Sequence, residues 1–260
     1  MNSRLMNLAS LAVVFFLLFP LIVIIGASFT TTPYVKFPPS GFTLKWYGDL
    51  FARTDFLRAF IDSVLIGIVT VGGVLLIGTP TAFGLRLGSR VGRQVLQSFV
   101  TAPLTLPTIV TAVALLQVYY LSGWDFPWIA VTLGHILVTL PYYIRTLGAG
   151  LESLDNSVLE AAESLGASRQ RILRRIIIPA VLPSIFSGTV FVFITSFDQV
   201  TMSIFFSSGS FMPLPIRIFS YIEFAIDPMI AAVSTLLIIA AFGAVFAMQK
   251  VMGLERGIGA

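Results

Sequence analysis

Few residues of this 260-residue chain have side chains that could do chemistry. Cysteine is absent and His135 is the single histidine, so thiolate metal sites and sites that need two histidines are excluded. None of the three lysines (Lys36, Lys45 and Lys250) follows a glycine, so the phosphate-binding G-x-x-x-x-G-K-[ST] loop is absent. The chain could therefore use ATP only through a partner that binds the nucleotide.

One carboxylate, that of Asp198, falls inside the long apolar stretch "FITSFDQVTMSIFF". A carboxylate within a membrane is costly unless it faces a partner or an aqueous path, where it would stabilise a cationic amine. The alternatives are that Asp198 caps a broken helix or pairs with another chain. Tyr142 and Tyr143 are further candidates for such a path, although aromatic packing would explain them equally well. For His135 we expect a packed, hydrogen-bonded histidine rather than a proton relay.

The elements that position these residues are apolar. The chain is 57% hydrophobic and 11% charged, with a mean hydropathy of +0.95, whereas soluble chains carry about 25% charged residues. This composition predicts an all-α membrane protein with six spans, each needing about 20 residues. Prolines within the apolar runs, such as Pro103 and Pro107, predict bent helices. The predicted spans are 8–27, 63–85, one within 94–123, 126–144, one that starts near 178, and 228–249.

The first apolar run could be a signal peptide, because Arg4 precedes it. It is longer than the usual 7–15 apolar residues of a signal sequence, and we therefore favour a retained span. Eleven lysines and arginines fall in one set of connections and five in the opposite set. The positive-inside rule places the richer set, with both termini, in the cytoplasm. We attribute the net charge of +4 to this topology and not to nucleic-acid binding.

Between the fourth and fifth runs lies a polar stretch that favours two short helices. Ser157 and Glu160 have the spacing of a capping box, which predicts a helix over 158–165. Gly166 stands where a left-handed helix stop is needed, and Ser168 can cap a second helix.

The second helix is amphipathic, which is typical of a helix at a membrane interface. Its apolar face carries Ile172, Leu173, Ile176 and Ile177, and its basic face carries Arg171, Arg174 and Arg175. The first helix has a small apolar face formed by Leu159, Ala162 and Leu165. The pattern leaves two possibilities open, a docking element for a partner or a solvated linker.

The stretch "EAAESLGASRQRILRRIIIP" resembles the EAA loop of bacterial ABC importer permeases of the binding-protein-dependent class. The pattern is E-A-A, three residues, G, nine residues, then I-x-L-P. The matching residues are Glu160, Ala161, Ala162, Gly166, Ile176 and Pro179, with Ile178 in place of the usual leucine. The resemblance covers roughly 57–251. It implies an anchor span and periplasmic segment over 1–56, a permease core over 57–251 and a cytoplasmic tail over 252–260.

The resemblance implies a type I ABC importer permease fold in a bacterial inner membrane, with a coupling helix between spans four and five. The implied partners are a second, different permease, two cytoplasmic ATPase subunits that bind ATP and magnesium, a periplasmic substrate-binding protein, and membrane lipid. The chain itself would be non-catalytic and would hold no cofactor or metal. The residues that would contact the ATPase are Glu160, Ala161, Ala162, Gly166, Ala167 and Ser168.

Four further stretches resemble the polyamine-type branch of these permeases: "FTLKWYGDLF", "GHILVTLPYYIRT", "FITSFDQVTMSIFF" and "PLPIRIFSYI". The expected solute is a polyamine or a related cationic amine, although the branch also includes importers of iron, thiamine, opines and phosphonates. An ion-coupled secondary transporter usually needs several intramembrane ionisable groups and repeated halves. Only His135 and Asp198 qualify here, so that class is the weaker alternative. An intramembrane enzyme would need a catalytic cluster that the chain lacks.

Overall fold

The computed structural model of the chain describes residues 3–87, 90–123, 125–209 and 211–252. In these ranges the regular structure is helical, apart from an isolated bridge between Ser208 and Phe211. The all-α prediction is confirmed. In chain order the helices are α1 (Ser3–Ala27), α2 (Lys45–Ala52), α3 (Thr54–Leu87), α4 (Arg90–Thr105), α5 (Thr108–Leu121), α6 (Pro127–Glu152), α7 (Asn156–Ser164), α8 (Arg169–Ile172), a π-helical segment (Leu173–Ile177), α9 (Ile178–Phe197), α10 (Val200–Ser203), α11 (Leu214–Phe224) and α12 (Pro228–Met252).

Five helical stretches within the described residues are long and apolar enough to cross a membrane, which confirms five of the six predicted spans. The fifth predicted span is longer than expected, because α8, the π-helical segment and α9 form one continuous stretch that starts at Arg169. The stretches are Met6–Ala27, Thr54–Arg86, Pro127–Glu152, Arg169–Phe197 and Pro228–Phe246.

The remaining predicted span, within 94–123, forms two helices and not one. Helices α4 and α5 meet at an angle of 100° across a break of two residues, and together they complete a set of six. Pro107 is the N-cap of α5 with an extended ψ of 131°, and it disfavours helical geometry at Leu106, the residue before it. At 1.5 Å per residue α4 and α5 are about 24 and 21 Å long, so neither alone would cross about 30 Å of hydrocarbon.

The helices fall into two compact units, one from the described parts of 1–58 and 217–260 and the other from 59–216. In the first unit α12 packs against α1 and α2. In the second unit α6 is central and packs against α4, α5 and, most extensively, α9. The main buried cluster of this second unit consists of Val74, Ala82, Tyr143, Ile144, Leu147, Leu151, Val181 and Val192.

Two glycines allow the helices of the second unit to close on Tyr143. A Cβ atom on Gly78 of α3 or on Gly188 of α9 would lie 2.7 or 2.8 Å from a ring carbon of Tyr143. The tyrosine hydroxyl is 2.8 Å from the hydroxyl of Thr79, and the side chain is fully buried. Helices α3, α6 and α9 are therefore locked together at this level.

Candidate functional site

The EAA segment (residues 155–168) begins with a different N-cap from the one predicted. The predicted capping box of Ser157 and Glu160 is wrong, because α7 starts at Asn156 and its N-cap is Asp155. The carboxylate of Asp155 accepts a hydrogen bond from the backbone N–H of Ser157 at 2.8 Å, and this bond holds the pKa of Asp155 below its usual range. A charged acceptor here satisfies an unpaired amide and interacts favourably with the helix dipole, so the helix starts two residues earlier than predicted.

The predicted left-handed stop at Gly166 is confirmed. Its φ is +79°, and its N–H donates to the carbonyl of Glu163 at 2.9 Å. The N–H of Ala167 donates to the carbonyl of Ala162 at 3.0 Å, which completes a Schellman motif. Among the described residues, no atom outside the immediate chain neighbours lies within 4 Å of a Cβ built on Gly166, so the backbone conformation and not crowding requires glycine here.

Ser168 is the N-cap of α8, as predicted, with an extended backbone (ψ 153°). Its carbonyl accepts hydrogen bonds from the N–H groups of Arg171 and Ile172 at 2.8 and 3.0 Å. Its hydroxyl forms no capping hydrogen bond. Backbone geometry therefore defines both ends of the turn between α7 and α8.

The EAA segment presents its residues to the surroundings, and α7 has no buried residue. Leu165 is 88% exposed and Val158 is 51% exposed, so two apolar side chains lack cover within the chain. A nine-residue helix is marginal in water unless something packs against it. The predicted contact residues Glu160, Ala161, Gly166 and Ser168 are exposed, and Ala162 and Ala167 are half-buried.

One polar contact ties the start of the EAA segment to α3, and a second joins the end of α6, just before the segment, to α4. The guanidinium of Arg86, near the end of α3, donates to the side-chain oxygen of Asn156 at 2.7 Å. Arg93 of α4 and Glu152, the last residue of α6, form an ion pair of 3.6 Å. A displacement of α7 would therefore be felt at the ends of α3 and α6.

The helix that follows the EAA segment widens to π geometry near its start, over Leu173–Ile177. The N–H of Ile178 bonds to the carbonyl of Leu173, five residues earlier. Pro179 follows, and its ring would clash with a carbonyl four residues before it, which favours the wider turn here. The predicted basic face is exposed, but on the predicted apolar face only Ile172 is buried and Leu173 is 37% exposed.

Asp198 lies at the far end of this helix, where the chain breaks. It is the C-cap residue of α9, and α10 begins at Val200. Its backbone carbonyl accepts from the N–H of Val200 at 2.9 Å, but its exposed carboxylate has no hydrogen-bond or ionic partner among the described residues. The helix is thus broken, as one alternative held, but the side chain caps neither α9 nor α10 within the described chain.

The two tyrosines of α6 differ in their environment. Tyr143 is buried in the core, so packing accounts for it. Tyr142 is 39% exposed, and its ring centroid lies 5.5 Å from that of Phe191 on α9. Phe191 precedes Asp198 by two helical turns, about 10 Å along the axis. Tyr142 therefore remains a candidate for the path, held by the same helix pair.

The prediction for His135 is confirmed, because it is buried and hydrogen-bonded on both ring nitrogens. Nδ1 lies 2.8 Å from the hydroxyl of Ser196 and Nε2 lies 3.2 Å from that of Ser203. Ser196 in turn reaches the hydroxyl of Thr70 on α3 at 3.4 Å. These bonds lie on both sides of the break at Asp198, so His135 holds the two ends of the segment that carries Asp198. The missed signal in the sequence was a pair of serines, seven residues apart on either side of Asp198, within an apolar run. Such serines are candidate hydrogen-bond partners for a buried histidine.

Sequence reasoning also missed a charged cluster in the first unit. Arg53 contacts both carboxylate oxygens of Asp55 at 3.2 and 3.3 Å and lies 5.0 Å from the ring centroid of Tyr221. Burial and a 2.6 Å hydrogen bond to Asp227 raise the pKa of Tyr221 to about 12. Arg217 lies 3.8 Å from Asp55, and its Nε is buried without a hydrogen-bond partner among the residues that the structure describes. The cluster joins α2, α3, α11 and α12.

Residues 74–252 match the family model described as "Binding-protein-dependent transport system inner membrane component". Two curated relatives are named for polyamine transport. The chain is 33% identical to the spermidine/putrescine transport system permease protein PotC of Haemophilus influenzae, over 91% of each chain. It is 29% identical to the putrescine transport system permease protein PotI of Escherichia coli, over 86% of this chain and 82% of the relative.

Solved structures show the same fold at lower identity. A crystal structure of a bacterial alginate ABC transporter in complex with an alginate pentasaccharide-bound periplasmic protein matches with a TM-score of 0.70. The match covers 99% of this chain and 96% of the other at 16% identity. The predicted ABC importer permease fold is therefore confirmed.

Proposed function

The chain belongs to the family of binding-protein-dependent transport system inner membrane components, and we propose that it imports a polyamine or a related cationic amine. It is a multi-pass membrane protein and the permease subunit of an ABC importer. The observation that carries the proposed solute is the similarity to relatives named as polyamine permeases over most of their length. The exposed carboxylate of Asp198 supports the same charge class.

The proposed path uses the broken end of α9. Asp198 is the first residue after the stretch Arg169–Phe197, and a carboxylate at the end of a span can stabilise a cation that enters the path. It has no cationic partner among the described residues. His135 holds the residues on both sides of the break, through Ser196 and Ser203. Tyr142, on the neighbouring helix α6, adds an aromatic face, to which a cationic amine can bind.

The EAA segment is proposed to bind a separate cytoplasmic ATPase that holds ATP and magnesium. The absence of a phosphate-binding loop from this sequence and the exposed apolar side chains of Val158 and Leu165 support this partner. The contact residues would be Glu160, Ala161, Ala162, Gly166, Ala167 and Ser168. The chain itself would be non-catalytic.

Motion of the EAA segment would reach Asp198 through one continuous helix. The stretch Arg169–Phe197 has 29 residues and a length of about 43 Å at 1.5 Å per residue. Its first turn follows the Gly166 stop directly, and its last residue precedes Asp198. ATP-driven closure of the ATPase would therefore tilt this helical stretch as one body. The solute-facing carboxylate of Asp198 lies at its far end.

The proposed assembly contains a second, different permease, two ATPase subunits and a periplasmic substrate-binding protein. The excess of lysine and arginine on the side of the EAA segment supports a cytoplasmic location for that side and for both termini. Of the predicted tail over 252–260, residues 253–260, which include Arg256, lie outside the described residues.

The first test is co-purification of the ATPase with the tagged permease from cells that express the whole transporter. We expect the ATPase to be retained by the wild-type chain and lost when Gly166 is replaced by tryptophan. Uptake that persists with a catalytically disabled ATPase would favour an ion-coupled transporter instead.

The solute is tested separately, with the cognate periplasmic protein. We expect that protein to bind spermidine or putrescine in calorimetry. Preference for an opine, thiamine, iron or a phosphonate would refute the polyamine assignment and leave the permease role intact.

A further inference from the structure

A cationic cavity lies in the second unit, close to the EAA segment. It has a volume of about 210 Å³ and is bounded by α3, α4 and α6. Pockets for drug-sized ligands occupy about 300–1,000 Å³, so this one suits a single small group. Its lining includes Arg86, Arg93, Arg145 and Glu152.

The charges of the cavity are not balanced by the chain. Three arginines and one glutamate line it, which leaves a net formal charge of +2. Glu152 is engaged by Arg93 at 3.6 Å, and Arg86 donates to the neutral amide of Asn156. The guanidinium of Arg145 has no hydrogen-bond or ionic partner among the residues that the structure describes.

Arg145 is also placed within a membrane span. It lies seven residues before Glu152, the end of the span Pro127–Glu152, and thus about 10 Å along the helix from that end. A charged residue at such a depth is costly unless it pairs or reaches the interface. Arg86 is the last residue of its own span, so the cavity lies at the boundary between hydrocarbon and headgroups.

We propose that this cavity binds the phosphate of an anionic phospholipid headgroup. Arginine is well suited to phosphate oxygens because its guanidinium donates two parallel hydrogen bonds. Gln97 and Thr101 of α4 add polar side chains to the lining. The lining also contains apolar side chains, which could contact the glycerol and the first acyl carbons of a lipid but would add nothing to the binding of a free anion. Its apolar members are Ala82, Leu85, Val100, Ile144 and Leu151.

A lipid at this site would act on the segment that moves. The same Arg86 that lines the cavity holds Asn156 at the start of α7, and Glu152 ends α6 four residues earlier. A bound phosphate would therefore order the base of the EAA segment. The membrane leaflet next to the cavity would need to contain anionic lipid for the start of α7 to be well ordered.

The test measures lipid binding to the purified full-length chain by native mass spectrometry. Phosphatidylglycerol is titrated against phosphatidylcholine, and we expect preferential binding of the anionic lipid. Arg145→Gln should weaken phosphatidylglycerol binding about ten-fold, the loss of one charge-assisted contact. The matched control is Arg175→Gln, which removes an exposed arginine outside the cavity and should change binding less than two-fold (about 0.4 kcal/mol).

Several outcomes would overturn the proposal. Equal binding of both lipids by the wild-type chain would do so without any variant. Equal weakening by both substitutions would indicate general attraction to the basic surface. Competition by inorganic phosphate at the concentration of the lipid would indicate a site for a free anion. Unchanged lipid binding with loss of the ATPase in Arg145→Gln would assign Arg145 to a protein contact.

Discussion

Substitutions of Gly166 separate two proposed roles of the EAA segment, the formation of the turn between α7 and α8 and the contact with the ATPase. With φ at +79°, an alanine at this position would carry the cost of left-handed geometry, about 1–2 kcal/mol. That cost corresponds to a change of about 5- to 30-fold in the fraction of molecules that hold the turn. Asparagine tolerates the left-handed conformation, so Gly166→Asn should keep the turn and add only side-chain bulk.

The described part of the chain leaves room for that bulk, because none of its atoms outside the immediate chain neighbours lies within 4 Å of a Cβ built on Gly166. Any loss of ATPase in Gly166→Asn would therefore come from the partner and not from the permease fold. We expect Gly166→Ala to speed hydrogen exchange of the α7 amides, and Gly166→Asn to leave it unchanged. Both of these variants should retain less ATPase and show slower uptake. Gly166→Trp should lose ATPase retention and uptake entirely.

The control is Gly48→Ala in α2. Gly48 also has open space around it, but its backbone is helical, so alanine should be neutral or slightly stabilising. Wild-type ATPase retention and uptake in Gly166→Trp would refute the assignment of this turn as the contact. Unchanged amide exchange in Gly166→Ala would refute the argument from backbone strain.

Three further predictions concern Asp198, His135 and Asp155. Asp198→Asn should reduce the uptake rate of a cationic solute in proteoliposomes, and unchanged kinetics would remove Asp198 from the path. His135→Ala should lower stability by about 1–3 kcal/mol, through lost bonds to Ser196 and Ser203, and a thermal midpoint equal to wild type would contradict this. Asp155→Ala should reduce α7 amide protection. In the wild-type chain this cap is fully present above about pH 4, and protection that persists as the pH falls through the lowered pKa would contradict it.

The parts of the molecule that depend on local chemistry could be predicted from the sequence. Gly166 ends α7 as expected, because a left-handed helix stop needs only the residues around it. The capping box failed because Asp155 and Ser157 are both good N-caps two residues apart, and the sequence alone does not select between them. The bend after α4 follows from Pro107, although its angle of 100° could not be predicted from the residues alone.

The features that depend on packing between distant helices could not be predicted. Ser196 and Ser203 are 61 and 68 residues from His135, and only the contact of α6 with α9 and α10 makes them partners. The charge imbalance around Arg145 likewise emerges only when α3, α4 and α6 enclose one space. A single sequence shows which face of a helix is polar, but it does not show which other helix that face contacts.

The Schellman turn at Gly166 has a consequence for how the transporter is assembled. Backbone hydrogen bonds fix the bend between α7 and α8 within this chain alone, before any partner arrives. Binding partners that are already shaped lose less conformational entropy on association than flexible ones do. The permease would thus present a preformed surface to the ATPase. Little of the free energy of binding would be spent on ordering the turn, and the complex would dissociate more slowly.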